Sequence, residues 1–153
     1  MDNQQAKPSD YEMGWLAGFI DGEGCFSFSH WKKRKGGNEY AVRFMLGNTH
    51  VPSLDRTTNI LDRLGLAYHV RWFDRKSPRV DGSPRKRLWY ISIVGYKRMY
   101  RWLVIITPLL YTKRRQAEML LDFVNLRLNN AQSRRVLSSA EAKLVPDLLR
   151  MNR

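Results

Sequence analysis

Acidic residues are scarce in this sequence. Only 14 Asp and Glu stand against 27 Lys and Arg, a formal charge of +13 over 153 residues. A chain this cationic repels itself unless a polyanion is its partner, which points first to nucleic acid and second to an anionic membrane surface. No stretch approaches the ~20 apolar residues of a membrane span. The opening MDNQQAKPSD has no apolar core, so it is not a secretory signal and an intracellular protein is expected, in a bacterial or archaeal cytoplasm or an organelle. Cys25 is the only cysteine, which excludes an internal disulfide and a cysteine-built zinc site. His30, His50 and His69 stand apart in the sequence and read as ordinary surface or strand histidines.

What is present is a core. Apolar residues make up 43% of the chain and aromatics 12%, which argues for one folded domain and against a disordered basic tail. Residues 1–10 are expected to be a disordered tail and 11–153 a single domain. Ser9 or Asp10 can cap a helix starting near Tyr11. That helix is apolar on most sides through Asp21, which predicts burial all round. It also holds Gly14, Ala17 and Gly18. A helical glycine costs ~1 kcal/mol relative to alanine, so these small residues suggest close approach of another backbone.

Cys25 to Lys33 alternates with strand period, with Phe26 and Phe28 on one face and Ser27 and Ser29 on the other. A basic turn leads to a returning strand, Tyr40 to Asn48. Pro52 to Leu64 has helical spacing and stops at Gly65. A second hairpin is predicted from Tyr68 to Arg75 and from Arg87 to Val94. Helices follow at Tyr96–Ile106, ended by Pro108, and at Thr112–Asn129, with Ala117, Leu120, Leu121, Val124 and Leu128 as its apolar stripe. A short last helix over 138–151 is capped by Ser138 or Ser139, with Glu141 close behind. The fold class is α+β, with one four-stranded antiparallel sheet covered by helices on one face only. The uncovered face holds Ser27, Ser29, Trp31, Lys33, Arg43, His69, Arg71, Arg75 and Tyr90. A solvated outer face would mix charge signs. This set is polar and basic, which favours contact with nucleic acid.

The few carboxylates are informative by position. Asp21 and Glu23 sit in Asp-Gly-Glu-Gly at the end of the first helix. A carboxylate under a DNA-binding surface repels phosphate unless a divalent cation lies between them, and Mg²⁺ binds through one or two carboxylates, phosphate oxygens and retained waters. Helix-end or salt-bridge carboxylates are the alternative, although a carboxylate at a helix C-terminus opposes the macrodipole.

Leu16-Ala-Gly-Phe-Ile-Asp-Gly-Glu-Gly24 resembles the nine-residue motif of the LAGLIDADG homing endonucleases, and the element order over residues 11 to about 130 is similar to that family's αββαββα core. The resemblance implies a metal-dependent, site-specific endonuclease that hydrolyses both strands of a long DNA site with Mg²⁺ or Mn²⁺ and no organic cofactor. It implies that Glu23 and the Gly22 carbonyl hold the metal, with Asp21 structural near the helix end. It places Lys113 near the active site, Asn48 at the end of the second strand close to the metal, and Arg56 as an assisting arginine. A single motif implies a homodimer whose motif helices meet at Gly14, Ala17, Gly18 and Asp21, and therefore a roughly palindromic target. Arg43, Arg71 and Arg75 can then contact guanine edges and Ser29 a base directly or through water. Lys32, Lys33, Arg34, Lys35, Arg85 and Lys86 would reach phosphates. The free-standing size suggests an intron-encoded protein. The alternatives are an intron-splicing maturase or a non-cleaving nucleic-acid-binding protein on the same fold, or a structural RNA-binding protein, which would leave the motif unexplained.

Overall fold

The computed structural model describes residues 6–74, 76–130 and 136–151. The elements are α1 (Asp10–Glu23), β1 (Gly24–Lys32), β2 (Asn38–Asn48), α2 (Val51–Arg63), β3 (His69–Phe73), β4 (Leu88–Val94), α3 (Tyr96–Ile106), α4 (Arg114–Asn129) and α5 (Ser139–Met151). The four strands form one antiparallel sheet in the order β1-β2-β4-β3. The expected αββαββα order is present, extended by α4 and α5.

Period-two alternation decides the layers. In register, Phe26 faces Phe44 across β1 and β2, and Phe44 faces Ile93 across β2 and β4. These side chains, with Phe28, Val42, Leu46 and Ile91, are buried under the helices. Leu16 and Ile20 of α1, Met99, Trp102, Leu103 and Ile106 of α3, and Leu120 and Phe123 of α4 close the core from above. Burying each such side chain is worth roughly 1.5–3 kcal/mol. The helix boundaries follow local chemistry. At the end of α2 the N–H of Leu66 donates to the Leu61 carbonyl and that of Gly65 to the Asp62 carbonyl, with Gly65 at φ +65°. This is a Schellman stop, which needs a residue tolerant of positive φ.

Ser9 caps α1 in a reciprocal box with Glu12, whose carboxylate also pairs with Arg63 at the end of α2. The Arg63 guanidinium, followed by the Ser9 N–H, holds the Glu12 carboxyl down to about 2 from an ordinary 4.5. A depressed carboxyl stabilises the fold fully above the unfolded value and loses that contribution as pH falls from about 4.5 towards about 2. The melting temperature should therefore fall through this acid window, and Glu12→Gln should flatten the decline. An unchanged acid profile in the variant would remove Glu12 as a source of acid sensitivity.

Two expectations about helices change. α1 is not buried all round: Leu16, Ala17 and Ile20 are buried, whereas Gly14, Gly18 and Gly22 are exposed. On α4 the inner stripe runs through Phe123 and Arg127, and Leu128 stays 38% exposed. Arg127 takes the inner position because Glu141 of α5 meets it there at 3.2 Å. Glu141 also accepts from Asn130 Nδ2 at 2.9 Å and from the Ser138 N–H, which makes Ser138 and Glu141 the capping box of α5. Burial pushes the Glu141 carboxyl up, but the Ser138, Arg127 and Asn130 donors outweigh it and hold it below the usual range. Removing one partner of a buried ion pair leaves the other charge uncompensated. Glu141→Ala should cost about 3–5 kcal/mol in urea unfolding. A loss under about 1 kcal/mol would show that Arg127 finds other compensation.

Candidate nucleic-acid interface and carboxylate site

The motif ends where α1 turns into β1. A Cβ on Gly24 would lie 2.8 Å from the Ile20 carbonyl oxygen and 3.1 Å from the Phe44 ring. Only glycine lets the chain leave the helix so close to the core. That tight exit places Glu23 at the rim of an open cleft of about 500 Å³, lined also by Cys25, Met45, Gly47, Asn48, Thr49, Leu88 and Tyr90. Glu23 is exposed and makes no ion pair among the described residues.

The other motif acid is committed elsewhere. Asp21 accepts from the backbone N–H of Tyr111 at 2.7 Å and of Lys113 at 2.9 Å. Burial pushes its carboxyl up, and the N–H groups of Lys113, Tyr111 and Thr112 outweigh this and lower it. Asp21 thus anchors the entry to α4 within its own chain. The expectation that Asp21 also serves a subunit interface concerns a second chain, whereas these bonds lie within its own. Ala17, expected there too, is 4% exposed and faces its own core. Gly14 and Gly18 remain on the open side, where an added Cβ at either would meet nothing within 4 Å.

Lys113 reaches the same helix end. Its ammonium donates to the Ile20 carbonyl at 3.2 Å and to the Asp21 carbonyl. The last turn of α1 has no basic residue of its own, so Lys113 supplies the cation that complements the helix dipole. An ammonium carries three donors and two are engaged here. Asn48 shares the cleft with Glu23, and its Oδ1 accepts from the His50 N–H at 2.8 Å. That bond fixes the amide and leaves its NH₂ as a donor. Arg56 goes elsewhere. Its guanidinium lies 4.5 Å from the centre of the Trp15 ring and 5.5 Å from that of Tyr11. Trp15 is eight residues before Glu23, roughly 12 Å along the helix. The structure therefore brings Glu23, Gly22, Lys113 and Asn48 to one end of α1 and leaves Arg56 towards the other. Helical spacing on α2 could not show this, because Arg56 is drawn off by aromatic rings of a different element.

The sheet face opposite the helices presents Ser27, Ser29 and Trp31 from β1, Arg43 from β2, His69 and Arg71 from β3, and Tyr90 from β4. Lys33 lies in the turn after β1 and pairs with Glu39. Arg75 lies outside the described residues. Glu39 is the only acid in the four strands, and its charge is matched by Lys33. Sequence reading omitted Met45, Phe73, Leu88 and Ser92 from this face, although the same alternation could have found them. A Cβ on Gly47 would sit 2.6 Å from the Tyr90 ring, so Gly47 is what lets that ring lie flat on the sheet.

No group of three or more His, Cys, Asp or Glu side chains that could hold a metal occurs among the described residues. The cleft offers one carboxylate, Glu23, and a glycine carbonyl beside it. That donor set fits a hard cation that keeps most of its water and takes other oxygens from a substrate, as Mg²⁺ does. It does not fit a dedicated protein cage.

Residues 16–68 match the LAGLIDADG endonuclease family model. The fold matches the archaeal intron-encoded homing endonuclease I-Vdi141I complexed with DNA, at a TM-score of 0.67 and 18% identity, over 94% of this chain and 86% of that one. The chain carries the LAGLIDADG segment on the LAGLIDADG fold. I-CvuI, solved with a DNA target in 2 mM Mg, matches at a TM-score of 0.58 and 19% identity, over 90% of this chain and 94% of that one. The I-SmaMI LAGLIDADG homing endonuclease bound to cleaved DNA matches at a TM-score of 0.63 and 15% identity, over 90% of this chain but only 42% of that one. No curated protein sequence matches significantly. On this fold, the LAGLIDADG helix carries both the cleft carboxylate and the open glycine face. Among the described residues, no helix is long and apolar enough to cross a membrane.

Proposed function

We propose that this protein is a site-specific homing endonuclease that cuts both strands of a long, roughly palindromic DNA site as a homodimer. The observation that carries the reading is the exposed, unpaired Glu23 carboxylate at the end of a cationic sheet face. A carboxylate in that position opposes DNA binding unless it holds a cation against the phosphate. Glu23 and the Gly22 carbonyl would hold Mg²⁺ or Mn²⁺. Such an ion, when bound, activates water and offsets the charge that develops at the phosphate. The chain's own residues do the rest. The sheet enters a major groove, which admits a β-ribbon, and sets the register of the backbone over the cleft. The Asn48 NH₂ can donate to a phosphate oxygen or to water in the cleft. Lys113 fixes the helix end and adds positive charge two residues from Glu23.

Two observations support the dimer. The chain has one motif and spans less than half of I-SmaMI. Its motif helix leaves Gly14 and Gly18 facing open space, which a second helix could fill. A non-cleaving protein on this fold would have no use for a bare carboxylate at Glu23.

The decisive test is selection from a randomised duplex library in Mg²⁺, with sequencing of cut ends and the mass of the protein by light scattering. Double-strand breaks at one site and a dimer mass are expected. Affinity for that site should fall steeply with salt, because each neutralised phosphate releases a counterion. Binding without cleavage in either Mg²⁺ or Mn²⁺, or a salt-independent affinity, would refute the proposal.

A further inference from the structure

We infer that the DNA-facing sheet is divided into two reading zones, and that the zone beside Glu23 recognises thymine methyl groups through Met45. This rests on the proposed role of the sheet as a DNA surface and adds how it reads sequence.

The register orders the open face from the motif end outwards. Phe73 pairs with Leu88, Gly47 with Tyr90, and Met45 with both Cys25 and Ser92. Farther out, Ser27 pairs with Arg43, Ser29 with Ala41 and Trp31 with Glu39. The inner rows are therefore mostly apolar and the outer rows mostly polar. The inner zone is also packed rather than loose. Phe73 stacks on Tyr90 with ring centres 5.4 Å apart, Tyr90 lies over Gly47, and Leu88 is 8% exposed although it faces away from the core. Met45 lines the cleft together with Gly47, Leu88 and Tyr90 of this patch, half-buried, next to exposed Cys25. Arg71 and His69 complete these same rows on the edge strand, opposite Tyr90 and Ser92.

Polar side chains discriminate bases by hydrogen bonds to their edges, whereas the one apolar feature in the major groove is the 5-methyl group of thymine. An unbranched thioether is adaptable and makes good contact with small apolar groups. From Cys25 to Trp31 the strand runs roughly 20 Å, about six base-pair steps. The change from apolar to polar rows thus falls inside one half-site. Base pairs nearest the cut should show thymine preference set by methyl contact, and the outer pairs should be set by hydrogen bonds from Ser27, Ser29 and Arg43.

The test uses the full-length protein and the duplex it selects by binding from a randomised pool in metal-free buffer. Thymines of the selected site are replaced by deoxyuridine, which removes only the methyl group, separately in the inner and outer parts of both half-sites. Inner replacement should weaken binding about fourfold per contacted methyl, hence about fifteenfold when both half-sites change together. Outer replacement should have little effect. Met45→Ala should abolish the inner penalty, and Met45→Gln should shift the selected inner base towards adenine, which glutamine can bond bidentately. Both variants leave the core intact, since Met45 projects from its open side. Equal inner and outer effects, or an inner penalty unchanged in both variants, would overturn the zoning while leaving the endonuclease reading in place. A pool that yields no enriched duplex would overturn that reading and the zoning with it.

Discussion

Glu23→Gln should bind the target duplex as tightly as the parent chain, or more tightly, and fail to cut it. The exchange keeps the size and hydrogen-bonding shape of the side chain and removes one negative charge from beneath a phosphate backbone. Because Glu23 makes no ion pair among the described residues and is exposed, its loss leaves no buried partner uncompensated, and the melting temperature should barely move. What would disappear is the proposed anchor for the divalent ion. Charge stabilisation by a metal at a developing phosphoryl transition state is worth several kcal/mol, so the single-turnover cleavage rate should drop by about 10³-fold or more. Asp21→Asn forms the internal control. It weakens the carboxylate that accepts from Tyr111 and Lys113, so it should act first on stability. Binding and cleavage rates are read on the same labelled duplex. Cleavage by Glu23→Gln within tenfold of the parent rate would remove Glu23 from the chemistry.

These two carboxylates show how far the sequence could be read. The alternation of β1 was visible in Phe26, Phe28, Ser27 and Ser29, and the structure keeps each on the side the pattern indicated. Local chemistry fixed helix ends as well, through the Gly65 stop of α2 and the Ser138–Glu141 box that starts α5. Position in the motif separated Asp21 from Glu23, but only tertiary contact shows why. Asp21 meets backbone N–H groups some ninety residues away, and no local pattern encodes such a partner. The same limit explains Arg56. Its place on α2 was legible, whereas its attraction to Trp15 and Tyr11 depends on how two helices pack. Arg127 on the inner face of α4 is a third case, since a charged residue in an apolar stripe makes sense only once Glu141 is seen opposite it. Periodicity finds faces; it does not find what a face meets.

The glycines of α1 pose that question for positions that meet nothing among the described residues. Gly14 and Gly18 each weaken the helix by ~1 kcal/mol relative to alanine, and neither is needed for space inside the chain, because a Cβ at either position has no neighbour within 4 Å. A cost without an internal reason points outside the chain, to a second backbone. Gly18→Leu tests this in a form that folding failure cannot mimic. Within one chain the new side chain extends into open space and the helix gains propensity, so the far-ultraviolet dichroism should be unchanged. Across a twofold interface the same side chain intrudes twice. Overpacking costs about 1–3 kcal/mol per site, and two sites give about 2–6 kcal/mol, a rise in the dimer dissociation constant from roughly 30-fold to above 10⁴-fold. Sedimentation equilibrium should therefore find folded monomers at concentrations where the parent chain is dimeric. Double-strand cleavage should vanish with the dimer, since in the proposed assembly each subunit would bring one Glu23 to its half of the site. A Gly18→Leu protein that remains dimeric and cuts DNA would show that the glycine face is not where two chains meet, and the open side of α1 would need another partner.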